Sequence, residues 1–296
     1  MIALWMQSFV AVADAGSFSI AARRLGVTQS TVSKQVAALE THLSVRLFQR
    51  TTRSLALTDE GSAFYESATR ALAAIDEAQA AVGPKGDVQG LLRVTMPLTL
   101  AESRLIAIIA DFLEAHPRIQ IDMSLSDHAL NLVADNIDVA IRVGRLVDSG
   151  LVSRKIGLAR RVIVASPDYI VRAGRPIVPT DLQAHNCLLY TLLATGARWG
   201  FAGGQSVSVS GNFKTDSPNA LRIAALNGVG IAVNARWLFE RDIQSGALEV
   251  LMPNHPPETM PIQAVLPSGR HIAARTRTFV DFVADALARD PLCAID

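Results

Sequence analysis

Cysteine is nearly absent: only Cys187 and Cys293 occur in 296 residues, far apart in the chain. A small disulfide-stapled secreted fold is thereby excluded. The pair reads as two reduced, small apolar residues, with a regulatory disulfide as the rival reading. Positive charge is missing from the start, where the first cation is Arg23, so the apolar opening lacks the charged flank of a secretory signal. That opening is also too short for a membrane span, which needs roughly 20 apolar residues. Instead Leu4, Trp5, Phe9, Val12 and Ala13 recur at helical spacing and predict a first core helix of a cytoplasmic protein. Catalytic signatures are lacking as well: there is no HExxH, GxSxG, P-loop or CxxC. The six histidines are scattered, and His185-Asn186-Cys187 alone is a poor metal signature. These absences predict a chain that is no enzyme and holds no metal or cofactor.

What is present is unevenly distributed. Residues 1–57 carry six Lys and Arg against two acids, a net +4, whereas residues 58–90 carry two against six, a net −4. The basic part contains Phe18 to Gln35, which reads as two short amphipathic helices broken at Leu25-Gly26-Val27. Phe18, Ala21, Ala22 and Leu25 share one face of the first, and Val32, Val36 and Leu39 share one face of the second. The other side of the second helix offers Thr28, Gln29, Ser30, Thr31, Ser33, Lys34 and Gln35, short polar groups and one cation. A helix-turn-helix that reads DNA needs that division. Turn formers and arginines from Leu47 then precede Leu55 and Leu57, the pattern of a β-ribbon wing.

Thr58 opens a long helix, with Asp59 and Glu60 in its first turn. Phe64, Ala68, Ala71, Leu72, Ile75, Ala78 and Val82 form a narrow stripe suited to pairing with a helix of a second subunit; an ordinary surface helix is the rival reading. Gly83-Pro84-Lys85-Gly86 ends it as a hinge. Beyond Leu91, strand and helix patterns alternate. Strands are expected at 91–95, 119–125, 139–143, 161–166, 207–210, 230–233 and 262–266. Helices are expected at 104–115, 129–135, 219–227 and 275–288, giving an α/β domain with mostly parallel sheets.

At this point the residues resemble a known family. Ala21-Ala22-Arg23-Arg24-Leu25, Val27-Thr28-Gln29-Ser30, Val32-Ser33-Lys34-Gln35, Val45-Arg46-Leu47-Phe48-Gln49-Arg50 and Leu57-Thr58-Asp59-Glu60-Gly61 are similar to the first domain of LysR-type bacterial transcriptional regulators. Further on, His116-Pro117, Ala140-Ile141-Arg142-Val143-Gly144, Ala165-Ser166-Pro167-Asp168-Tyr169 and Gly228-Val229-Gly230-Ile231 resemble the subgroup with AIRxG and ASPxY motifs. Ser30, Lys34 and Ser44 depart from it, since relatives commonly have Pro, Arg and Gly there. The resemblance implies an α+β chain in three parts. Residues 1–57 form a winged helix-turn-helix, 58–88 a linker and dimerisation helix with its hinge, and 89–296 a two-lobed α/β domain of the periplasmic-binding-protein type. Lobe I covers about 89–160 and 267–296 and lobe II about 161–266, with crossing strands near Arg160–Val164 and Gln263–Val265.

The resemblance and helix geometry together place Gln29, Ser30, Ser33 and Lys34 on the major groove, with Thr28 at the entry of that helix. Thr31 and Gln35 flank it toward phosphates, and Arg50 and Arg53 in the wing contact the backbone or minor groove. In the cleft, Pro97, Leu98, Thr99, Leu125, Ser126, Arg142, Ser166, Thr215, Asp216 and Ser217 are expected to line the effector site. Thr99 and free helix amides there can hold an anionic group. Arg142 either clamps a ligand carboxylate or pairs with an acid such as Asp138. Gly228-Val229-Gly230 reads as a helix-to-strand turn, because no strand precedes it and GxGxxG is missing. The implied partners are double-stranded promoter DNA, a small-molecule effector (an organic acid or aromatic metabolite), a second copy in a dimer or tetramer, and RNA polymerase, but no membrane. Asp216, where relatives often have Asn, makes the cleft less hospitable to anions.

Overall fold

A computed structural model of the chain describes residues 2–50, 55–82, 88–128, 132, 135, 137–144, 152–193, 195–267 and 272–295. The expected hinge at 83–86 and most of the expected helix at 129–135 lie outside the described residues. The chain divides into two units, Met1–Val88 with Gly269–Arg277, and Gln89–Ser268 with Thr278–Asp296.

In the first unit, helices α1 (Ile2–Ala15), α2 (Phe18–Leu25) and α3 (Gln29–Leu43) enclose a core of Phe9, Val12, Ala21, Val32, Val36, Leu39, Leu47 and Phe48. Local chemistry sets each boundary. Ser17 Oγ accepts the Ile20 N–H and caps α2. Gly26, at φ 67°, ends it with the Val27 N–H on the Ala22 carbonyl at 3.1 Å. Thr28 Oγ1 caps α3 by accepting the Thr31 N–H at 3.2 Å. Ser44 then takes a left-handed φ of 57° to end that helix.

Strands β1 (Phe48–Arg50) and β2 (Leu55–Leu57) pair antiparallel with Phe48 opposite Leu57, forming the wing. Helix α4 (Asp59–Val82) follows and is about 36 Å long at about 1.5 Å per residue. Its start is clamped to the wing's base. The Thr58 N–H donates to the Leu47 carbonyl at 3.0 Å, Thr58 Oγ1 donates to the Arg46 carbonyl at 2.7 Å, and the Gly61 N–H donates to Thr58 Oγ1 at 2.9 Å. A Cβ on Gly61 would stand 2.0 Å from the Leu47 carbonyl oxygen, so only glycine fits. The first turns of the α4 stripe pack within the chain, against α1. Phe64 stacks 5.4 Å from Phe9, Ala68 is buried, and Tyr65 Oη donates to Asp14 of α1 at 2.5 Å. Farther along, Ile75 is exposed.

The second unit holds two lobes. Strands β3 (Gly90–Met96), β4 (Ile119–Leu125), β5 (Val139–Val143) and β6 (Val152–Ala159) belong to one sheet. Between β3 and β4 the chain is helical: α5 (Leu98–Leu100), a π-turn at Ala101–Leu105, and α6 (Ile106–Ala115). After Arg160, β7 (Arg161–Ala165) and α7 (Pro167–Ala173) begin the second lobe. Short strands β8 (Leu189–Tyr190), β9 (Arg198–Gly200), β10 (Ser206–Ser208) and β11 (Lys214–Thr215) follow, then α8 (Pro218–Leu226), β12 (Ala232–Ala235), α9 (Arg236–Gln244) and β13 (Glu249–Leu251). Strand β14 (Met260–Leu266) returns to the first sheet, and α10 (Ala274–Arg289) closes the chain.

Sheet order is β4-β3-β5-β14-β6 in lobe I and β12-β7-β13 in lobe II. The expected mostly parallel sheets are corrected here. Only β4 and β5 run parallel to β3, whereas β14 opposes both its neighbours and the lobe II sheet is antiparallel throughout. The chain re-enters lobe I by Met260, earlier than the expected residue 267, because β14 as a whole is a lobe I strand. In lobe I, Phe112 of α6 meets Phe279 of α10 edge-on at 5.2 Å. In lobe II, buried Asp242 of α9 takes two bonds from the Arg222 guanidinium of α8, at 2.5 and 2.6 Å.

Candidate nucleic-acid interface and effector cleft

Helix α3 presents the two faces its sequence requires. Val32, Val36 and Leu39 are buried, while Thr28, Gln29, Ser30 and Lys34 are exposed and Thr31, Ser33 and Gln35 half-buried. The hydroxyl of Thr28 meets those of Ser30 at 2.9 Å and Thr31 at 2.8 Å, a tight polar cluster at the amino end. Ser19 of α2 donates to Gln29 Oε1 at 3.0 Å and restrains that carboxamide. Gln35 is held differently from its expected phosphate-facing role. Its Oε1 accepts a short hydrogen bond from Ser8 of α1, which turns the side chain toward the helix packing. Lys34 has no acid paired with it among the described residues. In the wing, the backbone of Arg50 ends β1 opposite Leu55, but its side chain and all of Arg53 lie outside the described residues. Ser19 and Ser8 went unread in the sequence, because their partners are set by packing between helices.

The two lobes of the second unit join where β6 passes through Arg160 into β7. At that end of lobe II stand Arg161, Tyr190, Thr215 and Asp216, and the Arg236 N–H opens α9 by donating to the Arg160 carbonyl at 2.8 Å. Helix α9 packs against α5 of lobe I. Pro97 is buried at the end of β3, Leu98 and Thr99 are half-buried, and Leu125 is exposed at the end of β4. Ser126 donates its N–H to the Met96 carbonyl at 3.0 Å, and its Oγ accepts the His128 N–H at 3.2 Å. In lobe II, Thr215 Oγ1 accepts the Ser217 N–H at 3.0 Å, and Ser217 Oγ caps α8 through the Ala220 N–H at 3.3 Å.

Ser166 stands apart from this group. It lies at the opposite end of β7 from Arg161, where it is buried, caps α7 through the Tyr169 N–H at 3.3 Å and lies under Gly228. An alternating hydrophobic strand does not reveal which end faces the other lobe.

Electrostatics identify residues that the sequence did not. The charge facing Arg142 is Asp127, while Asp138 instead accepts the Arg93 N–H at 2.8 Å. Arg142 donates to the carbonyls of Ile141 at 3.0 Å and His128 at 3.4 Å. Burial pushes its guanidinium below the ordinary range against the pull of Asp127. Burial also pushes the Asp127 carboxyl up, opposed by Arg142, His128 and a hydrogen bond from the Leu98 N–H. His128 Nε2 reaches across to Asp216 Oδ2 of lobe II at 3.8 Å. Burial first, and then the fields of Asp127 and Asp216, push the Tyr190 phenol up.

Comparison with known proteins agrees with both halves of this arrangement. Residues 4–62 match the bacterial regulatory helix-turn-helix protein of the lysR family, and residues 85–288 match the LysR substrate binding domain. An HTH-type transcriptional regulator of Xanthomonas campestris pv. campestris is 35% identical over 290 residues, covering 95% of this chain and 84% of that protein. The regulator CrgA of Neisseria meningitidis serogroup C is 34% identical, covering 96% of each. The solved structure of CrgA, a LysR-type transcriptional regulator, aligns with a TM-score of 0.59 at 34% identity, covering 95% of this chain and 97% of that one. Full-length AphB, a virulence activator of Vibrio cholerae, aligns with a TM-score of 0.55 at 26% identity, covering 95% and 98%. With both of its parts matched along nearly its whole length, this chain belongs to the LysR family of transcriptional regulators and carries that family's DNA-binding and effector-binding domains.

Proposed function

We propose that this chain reads promoter DNA through Gln29, Ser30, Ser33 and Lys34, with the wing on the backbone, and that a small molecule in the cleft of the second unit sets when it does so. The observation that carries the reading is the exposed, capped polar face of α3, whose Lys34 has no acid paired with it among the described residues. One such reader makes few contacts. Self-association as a dimer or tetramer through the exposed part of α4 places two readers on half-sites about one helical turn, or a multiple, apart. The chain then acts in the cytoplasm at the nucleoid, contacts RNA polymerase and catalyses no reaction. In support, no helix among the described residues is long and apolar enough to cross a membrane.

Footprinting of the full-length protein on the DNA upstream of its own gene and the divergent neighbour tests this. Two protected segments in helical phase are expected. Uniform protection of random duplex, or none, overturns it.

A further inference from the structure

What a side chain can offer to a base edge depends on which of its atoms the protein has already used. Gln29, the first residue of α3, is exposed, and its carboxamide carries one acceptor oxygen and two N–H donors. Ser19, in the first turn of α2, is exposed beside it and donates its hydroxyl proton to Gln29 Oε1 at 3.0 Å. The amide nitrogen of Gln29 has no hydrogen bond among the described residues. Nearby hydroxyls are engaged elsewhere, since those of Ser30 and Thr31 meet Thr28 Oγ1 at 2.9 and 2.8 Å. Packing fixes the meeting of Ser19 with Gln29. Ala21 and Ala22 of α2 share a buried core with Val32 of α3, and the Val27 N–H on the Ala22 carbonyl sets the turn between the two helices.

A glutamine with both ends free pairs with adenine: its oxygen accepts from the N6 amino group while its nitrogen donates to N7. Guanine differs, because its major-groove edge presents two acceptors, N7 and O6. Building on the DNA-reading role given to Gln29 above, we propose that Ser19 is a positioning residue that makes Gln29 select guanine. Ser19 touches no base. It holds the carboxamide oxygen toward α2, so that the two amide hydrogens lead into the groove and meet the two acceptors of guanine. Adenine then meets a donor where its own amino group needs an acceptor.

The test selects binding sites from a pool of randomised duplex with the full-length protein and with Gln29→Ala, Ser19→Ala and Ser19→Thr. The position whose base preference Gln29→Ala erases is the one that Gln29 reads, and guanine is expected there in the unaltered protein. Ser19→Ala is expected to move the guanine-to-adenine ratio at that position toward adenine by about twofold to tenfold, the scale of one hydrogen bond. Preferences elsewhere in the site and the melting temperature are expected to hold. Ser19→Thr keeps the hydroxyl and is expected to keep guanine. Adenine favoured by the unaltered protein at that position overturns the inference. So does an unchanged ratio in Ser19→Ala, with or without a fall in melting, since Ser19 then only ties α2 to α3. If Gln29→Ala alters no base preference at all, the reading of DNA through Gln29 fails, and the inference falls with it.

Discussion

One carboxylate oxygen of Glu40, Oε1, accepts the backbone N–H of Leu47 at 2.8 Å and that of Phe48 at 3.2 Å. The recognition helix is thereby fastened to the base of the wing by charge-assisted hydrogen bonds. Replacing Glu40 with Ala leaves two partly buried donors without a partner and is expected to cost about 1–3 kcal/mol of stability. Glu40→Gln keeps an acceptor and is expected to cost less. Chemical denaturation of the three proteins measures the order, and equal loss in both variants contradicts the assignment.

Ser44 makes the opposite prediction. It holds φ 57° with its side chain exposed, where an L residue is disfavoured by about 1–2 kcal/mol. Ser44→Gly is expected to raise stability by about 0.5–1 kcal/mol, since added freedom in the unfolded chain offsets part of the relief. A fall in melting temperature would show that the serine side chain makes a contribution beyond the backbone turn.

Lys34→Ala is expected to weaken specific operator binding by about 1–3 kcal/mol and to relax preference at one base position. Competition with random duplex separates this from a phosphate contact, for which both affinities fall together. Gln35→Ala is expected to act through the packing of α1 on α3, because its oxygen is engaged by Ser8. Its loss should therefore register in melting temperature as well as in DNA affinity.

Both thiols are buried, and burial pushes each up to about 12. At pH 8 such a group is about one part in ten thousand thiolate, the reactive form. Neither Cys187 nor Cys293 is expected to react with iodoacetamide in the native protein, and both should react after unfolding. Native-state labelling followed by peptide mass measurement checks this. Fast labelling at either position revives the regulatory disulfide as a reading.

The helix-turn-helix was legible because its signals are local. The apolar spacing of Val32, Val36 and Leu39, the cap at Thr28 and the turn at Gly26 lie within a few residues of one another. The wing and α4 were legible for the same reason. The second unit was harder to read, because its decisive relationships are distant in sequence. Strand β6 is an edge strand, exposed over Val152–Lys155 and buried over Ile156–Ala159, so it lacks the alternation that marks a half-buried strand. Asp127 and His128 directly follow the expected pair Leu125 and Ser126. Their importance comes from Arg142, Tyr190 and Asp216, which only the folded sheets bring near.

The packing of Gly61 onto the Leu47 carbonyl has a mechanical consequence. With that contact and the Thr58 hydrogen bonds in place, α4 cannot pivot where it leaves the wing. The joint behaves as a weld rather than a swivel. A rotation applied to the far end of α4 is passed through this joint to the base of the wing, so DNA register becomes a matter of how that rod is aimed.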